Sequence, residues 1–264
     1  MLRVKGVLLD MDGVLYNAEA PIAGADAAVL WLRENGVPHL FVTNTTSRGR
    51  GALVEKLLRF GILADETRIL TPCVAAAAWL RNRTGSVALF VRPSARGEFE
   101  GLRLLPDDAE QGADFVVVGD LGEYWDYHAL NRAFRLLHAN PEAQLIALGM
   151  TRYWQTADGV SLDVAPFVAA LEHATGRQAF VLGKPAPAFF AVAGAQLRLA
   201  PEEILMVGDD IEADVGGAQR AGMQGALVRT GKFRPADLER GVAPDVLIDS
   251  IADLPHWWNS PVSS

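Results

Sequence analysis

The chain has 264 residues and a single cysteine, Cys73, which excludes an internal disulfide framework and any thiolate-rich metal site. Histidine is also scarce. His39, His128, His138, His173 and His256 are scattered without the spacing of metal ligands, so each reads as a surface or core residue. Positive charge is in deficit, with 24 Lys and Arg against 32 Asp and Glu, a net charge of −8 and no compensating basic run. A nucleic-acid binder needs a cationic footprint on phosphates, and that class is set aside. Long apolar runs are missing too. Val74–Leu80 falls well short of the roughly 20 residues of a membrane span. Met1-Leu2-Arg3-Val4-Lys5 meets Asp10 too soon for the apolar core of a signal peptide. The expected location is therefore the cytoplasm, with Cys73 a small buried hydrophobe and not a nucleophile. No internal repeat or low-complexity segment occurs, and the small polar tail Asn259–Ser264 is expected to fray.

What is present is a globular composition, 50% hydrophobic and 21% charged, of a length for about two domains or one large one. Short apolar runs recur at Val4–Leu9, Pro38–Val42, Val87–Val91, Phe115–Val118, Leu145–Leu148, Ala179–Leu182, Ile204–Val207, Ala226–Val228 and Val246–Ile248. They are continuous and not alternating, which predicts strands buried on both faces. Between them, helical spacing covers Ala25–Asn35, Gly49–Phe60, Pro72–Arg83, Tyr127–His138, Pro185–Leu197 and Glu212–Ala221. Gly36, Gly61 and Gly222 stand where a helix stop is expected. This alternation predicts an α/β fold, a Rossmann-like parallel sheet with helices on both faces.

The strongest chemical signal is Val7-Leu8-Leu9-Asp10-Met11-Asp12-Gly13, a buried strand running into two acids and a glycine. A turn or capping aspartate explains one acid of an Asp-Gly pair. Two acids at the end of so apolar a strand call for a cation. Phe41-Val42 leads into Thr43-Asn44-Thr45-Thr46, suited to phosphate oxygens. Val181-Leu182-Gly183 leads into Lys184-Pro185, and Leu205-Met206-Val207-Gly208 into Asp209-Asp210, with Asp214 one helical turn on. Singly, each reads as a cap or a solvated charge. Together they place acids, hydroxyls and a lysine at the carboxyl edge of one sheet, where open α/β folds bind ligands. Oxygens of Asp10, Asp12 and Asp209 suit a hard cation such as Mg²⁺.

This ordered set resembles the haloacid dehalogenase-like (HAD) hydrolase superfamily over essentially the whole chain. Asp10-x-Asp12, Thr43, Lys184 and Gly208-Asp209-Asp210 stand in the order of its four motifs. The long interval between Thr43 and Lys184 resembles the branch with a large α/β cap, subfamily IIA. Thr43-Asn44-Thr45-Thr46, Leu130–Leu137, Gly183-Lys184-Pro185 and Asp214–Gln219 look most similar to two of its groups. These are HAD-domain-containing proteins of unassigned substrate and phospholysine phosphohistidine inorganic pyrophosphate phosphatases. The resemblance implies Asp10 as nucleophile forming an aspartyl-phosphate, and Asp12 as general acid and then base. It implies Mg²⁺ held by Asp10, by Asp209 and by the main-chain carbonyl of Asp12, with Asp214 supporting the site from behind. Thr43, Asn44 and Lys184 would bind the phosphoryl group. Asp210 occupies a variable family position and its role stays open.

The implied division is a core of residues 1–78 and 179–264, interrupted by an α/β cap of residues 79–178. Two decoys need separating. Val116-Val117-Val118-Gly119-Asp120 imitates the Asp209 motif but lacks the paired acid, and Gly231-Lys232 echoes Gly183-Lys184 from the rim. Arg152-Tyr153-Trp154-Gln155-Thr156, Ala157-Asp158-Gly159 and Val160–Leu162 read as a hairpin with an Asp-Gly turn. Arg152, Tyr153 and Trp154 are the candidates for substrate specificity, with an exposed ribbon or a homodimer contact as the equal alternative. Trp257-Trp258 should pack the last segment onto the core. The expected function is Mg²⁺-dependent hydrolysis of a small phosphorylated metabolite or pyrophosphate, without nucleic-acid or membrane partners. A phosphomutase of the same fold and a catalytically silent binding protein are the alternatives. Dehalogenation is disfavoured, because it needs neither Asp12 nor a metal.

Overall fold

A computed structural model gives the fold and describes residues 4–156 and 159–260. In chain order the elements are β1 (Gly6–Asp10), β2 (Tyr16–Asn17), β3 (Ala20–Pro21), α1 (Ala25–Glu34), β4 (His39–Val42), α2 (Arg50–Arg59), β5 (Ile69–Leu70) and α3 (Pro72–Arg81). There follow β6 (Val87–Phe90), β7 (Phe115–Val118), α4 (Tyr127–Ala139), β8 (Gln144–Ala147), β9 (Tyr153–Thr156), β10 (Gly159–Leu162), α5 (Val164–Thr175) and β11 (Phe180–Val181). The chain closes with α6 (Pro187–Leu197), β12 (Ile204–Gly208), a π-helical turn (Ile211–Gly216), α7 (Gly217–Arg220), β13 (Gln224–Val228), β14 (Val246–Ile248) and α8 (Leu254–Asn259).

These elements form two compact units. The first takes in Arg50–Leu70 and the described parts of Met1–Thr43 and Lys184–Ser264; the second takes in Asn44–Gly49 and Thr71–Gly183. The second unit is thus wider at both ends than residues 79–178.

The first unit is built on a six-stranded parallel sheet in the order β14-β13-β12-β1-β4-β5. Every residue of β1 is buried, as its unbroken apolar run requires. Val7 and Leu9 on one face pack with Ala25, Ala28, Val29 and Leu32 of α1. That i, i+3, i+4, i+7 spacing is the buried stripe of an amphipathic helix. Leu8, pointing the other way, is buried as well. Trp257 and Trp258 of α8 pack on this core, with Trp258 against the ring of Trp31. The strand order reverses at β1, with β4 and β5 on one side and β12, β13 and β14 on the other. Neighbouring loops diverge at such a reversal and open a crevice at the carboxyl ends.

The second unit carries its own parallel sheet, β11-β8-β7-β6. Its core joins Ala88, Phe90, Val116, Val118 and Leu145 to Ala133, Leu136 and Leu137 of α4 and Val164, Val168 and Leu171 of α5. β9 and β10 pair antiparallel as the hairpin expected; Ala157 and Asp158 of its turn lie outside the described residues. Pro261–Ser264 of the expected tail also lie outside them, while Asn259 ends α8.

Several elements differ from the sequence reading. β2, β3, β5, α5 and α8 are additional. Phe180–Val181, expected in the core, pairs with β8 in the second sheet. The expected helix Glu212–Ala221 opens with a π-helical turn before α7. Among the described residues no helix is long and apolar enough to cross a membrane.

Cys73 sits on α3 at 1% exposure, and burial, with Glu98 adding to it, pushes its thiol up to about 12. Reactivity needs the thiolate. A disulfide reagent such as Ellman's should therefore leave the native protein unlabelled and label it stoichiometrically in denaturant; fast labelling of the native chain would contradict the buried placement.

Candidate active site

Three carboxylates of the first unit converge. Asp10 ends β1, Asp209 follows β12, and Asp214 lies in the π-helical turn; one oxygen of each lies within 4.8 Å of the others. All three are buried. Lys184 stands between two of them, its ammonium donating to Asp10 Oδ1 and to Asp214 Oδ1, each at 2.7 Å. Burial works against the lysine charge, but the two carboxylates outweigh it and hold its pKa above the ordinary lysine value. Burial pushes the Asp10 carboxyl up, against the pull of Lys184. It raises Asp209 to about 6, against the Lys232 main-chain N–H, and Asp214 to about 6, with the Asp10 charge adding. Three buried carboxylates gathered about one lysine leave negative charge that further positive charge would stabilise.

Asp209 shows where that charge would go. Its Oδ2 accepts the N–H of Lys232 at 2.7 Å, while its buried Oδ1 has no hydrogen-bond partner among the described residues. A bare buried carboxylate oxygen is costly unless a cation meets it. The donor set is all oxygen, which suits a hard divalent ion. The residues fit a metal.

Other expected residues fall as follows. Asp12 is exposed beyond the end of β1 and its side chain is outside the carboxylate cluster. Asp214 stands in the cluster with both oxygens engaged, by Lys184 and by the Asp210 N–H at 3.2 Å. Asp210 caps the π-helical turn, accepting from the N–H groups of Glu212 and Ala213 at 3.0 Å. Thr43 is buried just after β4, its N–H donating to the Leu70 carbonyl. Lys184 is not at a core strand end, because β11 belongs to the other sheet; it enters from the segment before α6.

Asn44 belongs to the second unit, as do Arg152, Tyr153 and Trp154. Tyr153 and Trp154 are exposed on β9, and the Arg152 guanidinium lies 6.0 Å from the Tyr153 ring centre. The decoy Asp120 is structural: it binds Arg92 Nε at 3.2 Å and accepts the Gly122 N–H at 2.8 Å. The residue-type reading underrated Lys232, whose main chain and not its ammonium reaches Asp209.

Comparison with known proteins places the chain in a family. A haloacid dehalogenase-like hydrolase family model matches residues 7–104, and a HAD-hydrolase-like model matches residues 181–254. The phospholysine phosphohistidine inorganic pyrophosphate phosphatase of Bos taurus is 39% identical over 255 residues, covering 95% of this chain and 92% of that protein. The chain belongs to the haloacid dehalogenase-like hydrolases. Within the family it stands with the phosphatases. Haloacid dehalogenase-like hydrolase domain-containing protein 2 of Mus musculus is also 39% identical, over 96% of this chain and 94% of its own. Among solved structures, p-nitrophenyl phosphatase from Archaeoglobus fulgidus superposes with a TM-score of 0.87 at 28% identity, covering 97% and 99% of the two chains.

Removing the lysine isolates its role. Lys184→Met should leave Asp10 and Asp214 buried without a counter-charge and cost about 3–5 kcal/mol, read by denaturant unfolding at neutral pH in chelator. A loss below about 1 kcal/mol, the range of an exposed pair, would show that the cluster is solvated.

Proposed function

We propose that this hydrolase is a divalent-cation-dependent phosphatase that splits a small phosphorylated metabolite or pyrophosphate through an aspartyl-phosphate on Asp10. The observation that carries the reading is the cluster Asp10, Asp209 and Asp214 around Lys184, with a bare oxygen on Asp209. Pyrophosphate and phosphoamino-acid substrates enter from the printed name of the Bos taurus relative.

In this reading a carboxylate oxygen of Asp10 attacks phosphorus and the bond to the leaving oxygen breaks. Asp12, exposed next to the nucleophile strand, gives that oxygen a proton. It then takes one from water, whose oxygen attacks the acyl phosphate, releasing phosphate and restoring Asp10. Lys184 orients Asp10 and carries positive charge to the transferring group. Thr43 and Asn44 are assigned to phosphoryl oxygens. Asp10, Asp209 and the main-chain carbonyl of Asp12 would hold the cation, with Asp214 fixing Lys184. When bound, Mg²⁺ would supply Lewis-acid neutralisation of phosphoryl charge.

Choice of leaving group is assigned to the second unit, with Arg152, Tyr153 and Trp154 as the named side chains and self-association through the same unit. A reducing, cytoplasmic setting suits a chain whose one thiol is buried.

Asp10→Asn is nearly isosteric but a poor nucleophile. It should abolish release of p-nitrophenol from p-nitrophenyl phosphate while the thermal midpoint stays close to that of the unaltered protein. Activity within tenfold, about 1.4 kcal/mol of barrier, would remove Asp10 from the role. Phosphate release should also stop in excess chelator and return with Mg²⁺ but not with Ca²⁺, whose larger, looser shell misplaces the attacking oxygen. Full turnover in chelator would refute the metal assignment.

A further inference from the structure

Asp209 is gripped by backbone on one oxygen only. Lys232 N–H donates to its Oδ2 at 2.7 Å. Gly13, just beyond β1, and Gly231, just beyond β13, both stand in the left-handed region, at φ 86° and 63°. A Cβ at either position would come within 1.9 Å or 2.1 Å of that same Oδ2. The two glycines also abut, since a Cβ on Gly231 would lie 2.5 Å from Gly13 Cα. The Thr230 hydroxyl donates to the Gly13 carbonyl at 2.5 Å and ties the β13 turn to the β1 loop. Oδ1 receives none of this attention and stays bare.

The difference between the two oxygens has chemical consequences. A carboxylate with both oxygens free can chelate a cation through both, which suits Ca²⁺ with its larger and more variable shell. Mg²⁺ demands near-ideal octahedral geometry and prefers single-oxygen ligands. With Oδ2 held by a main-chain N–H and crowded by Gly13 and Gly231, Oδ1 is the oxygen of Asp209 left open to a cation.

We infer that Thr230-Gly231-Lys232 is a positioning turn that makes Asp209 a one-oxygen ligand and so sets both the affinity of the site and its preference for Mg²⁺ over Ca²⁺. The inference rests on the metal-dependent reading above. The active feature of Lys232 is its main-chain N–H, and the active feature of Thr230 is a hydroxyl that never reaches the cation. Both act through Asp209.

The test measures binding and not turnover. Mn²⁺ bound to the full chain is counted by electron paramagnetic resonance, with Mg²⁺ and Ca²⁺ as competitors, and melting in chelator checks that each variant is folded. Thr230→Val keeps the shape and removes the donor. It should weaken Mn²⁺ binding by about tenfold, the scale on which groups orienting a ligand act, and shrink the Mg²⁺-over-Ca²⁺ preference. Thr230→Ser, which keeps the hydroxyl, should restore both. Lys232→Ala retains the N–H and Lys232→Pro lacks it, so the alanine variant should bind Mn²⁺ at least about tenfold tighter than the proline variant. Thr230→Val with the binding and preference of the unaltered protein would overturn the inference. So would Lys232→Ala losing as much as Lys232→Pro, which would transfer the role to the ammonium. If the proline variant fails to fold, the Thr230 pair decides alone. If the unaltered protein binds no Mn²⁺, the metal reading itself fails, an outcome distinct from altered binding in the variants.

Discussion

Lys184 sits between two buried carboxylates at 2.7 Å from each, and the chemistry of the first unit depends on that contact. Three acids that are almost wholly shielded from water cannot share a space under 5 Å across without compensation. One ammonium among three ionised carboxylates still leaves two negative charges, the complement of a divalent cation. Burial, with neighbouring acid charge adding, pushes Asp209 and Asp214 up to about 6. The site is therefore costly to build, as catalytic electrostatics usually are, and the surrounding sheet has to hold it in place.

The sheet does so by burying its strands on both faces. β1 is flanked by β12 and β4, so Asp10 emerges at the centre of the six-stranded sheet beside the strand that delivers Asp209. The wide π-helical turn after Asp210 brings Asp214 back to the same cluster, and turns of this kind are frequent at functional sites. Backbone completes the arrangement. Two glycines in the left-handed region and one main-chain N–H fix Asp209 without adding another charge.

The second unit folds around a separate core and a separate parallel sheet. Its composition is less specialised: the buried aspartate at the end of β7 pairs with arginine and caps a turn instead of gathering further acids. Its β9–β10 hairpin carries the exposed aromatics Tyr153 and Trp154, whereas the buried acids and Lys184 are gathered in the first unit.

Much of this protein was legible from residue types alone. Continuous apolar runs ending in Asp10 and Asp209 specified buried parallel strands, because only a strand covered on both faces tolerates so unbroken a run, and only a cation reconciles acids at such an end. Helices with a clear apolar stripe, α1 and α4, were equally readable. Two-residue strands such as β5 carry no periodicity of their own and exist only through their neighbours. The assignment of Phe180–Val181 to the second sheet, and the entry of Lys184 from a connecting segment, depend on where the chain leaves one core for the other, which local pattern does not record. The same holds for the grip on Asp209. A main-chain N–H is present at every residue except proline, so Lys232 carries no mark of it in the sequence. Only the approach of β13 to β1 and β12 in space decides which N–H meets the carboxylate and which oxygen is left open.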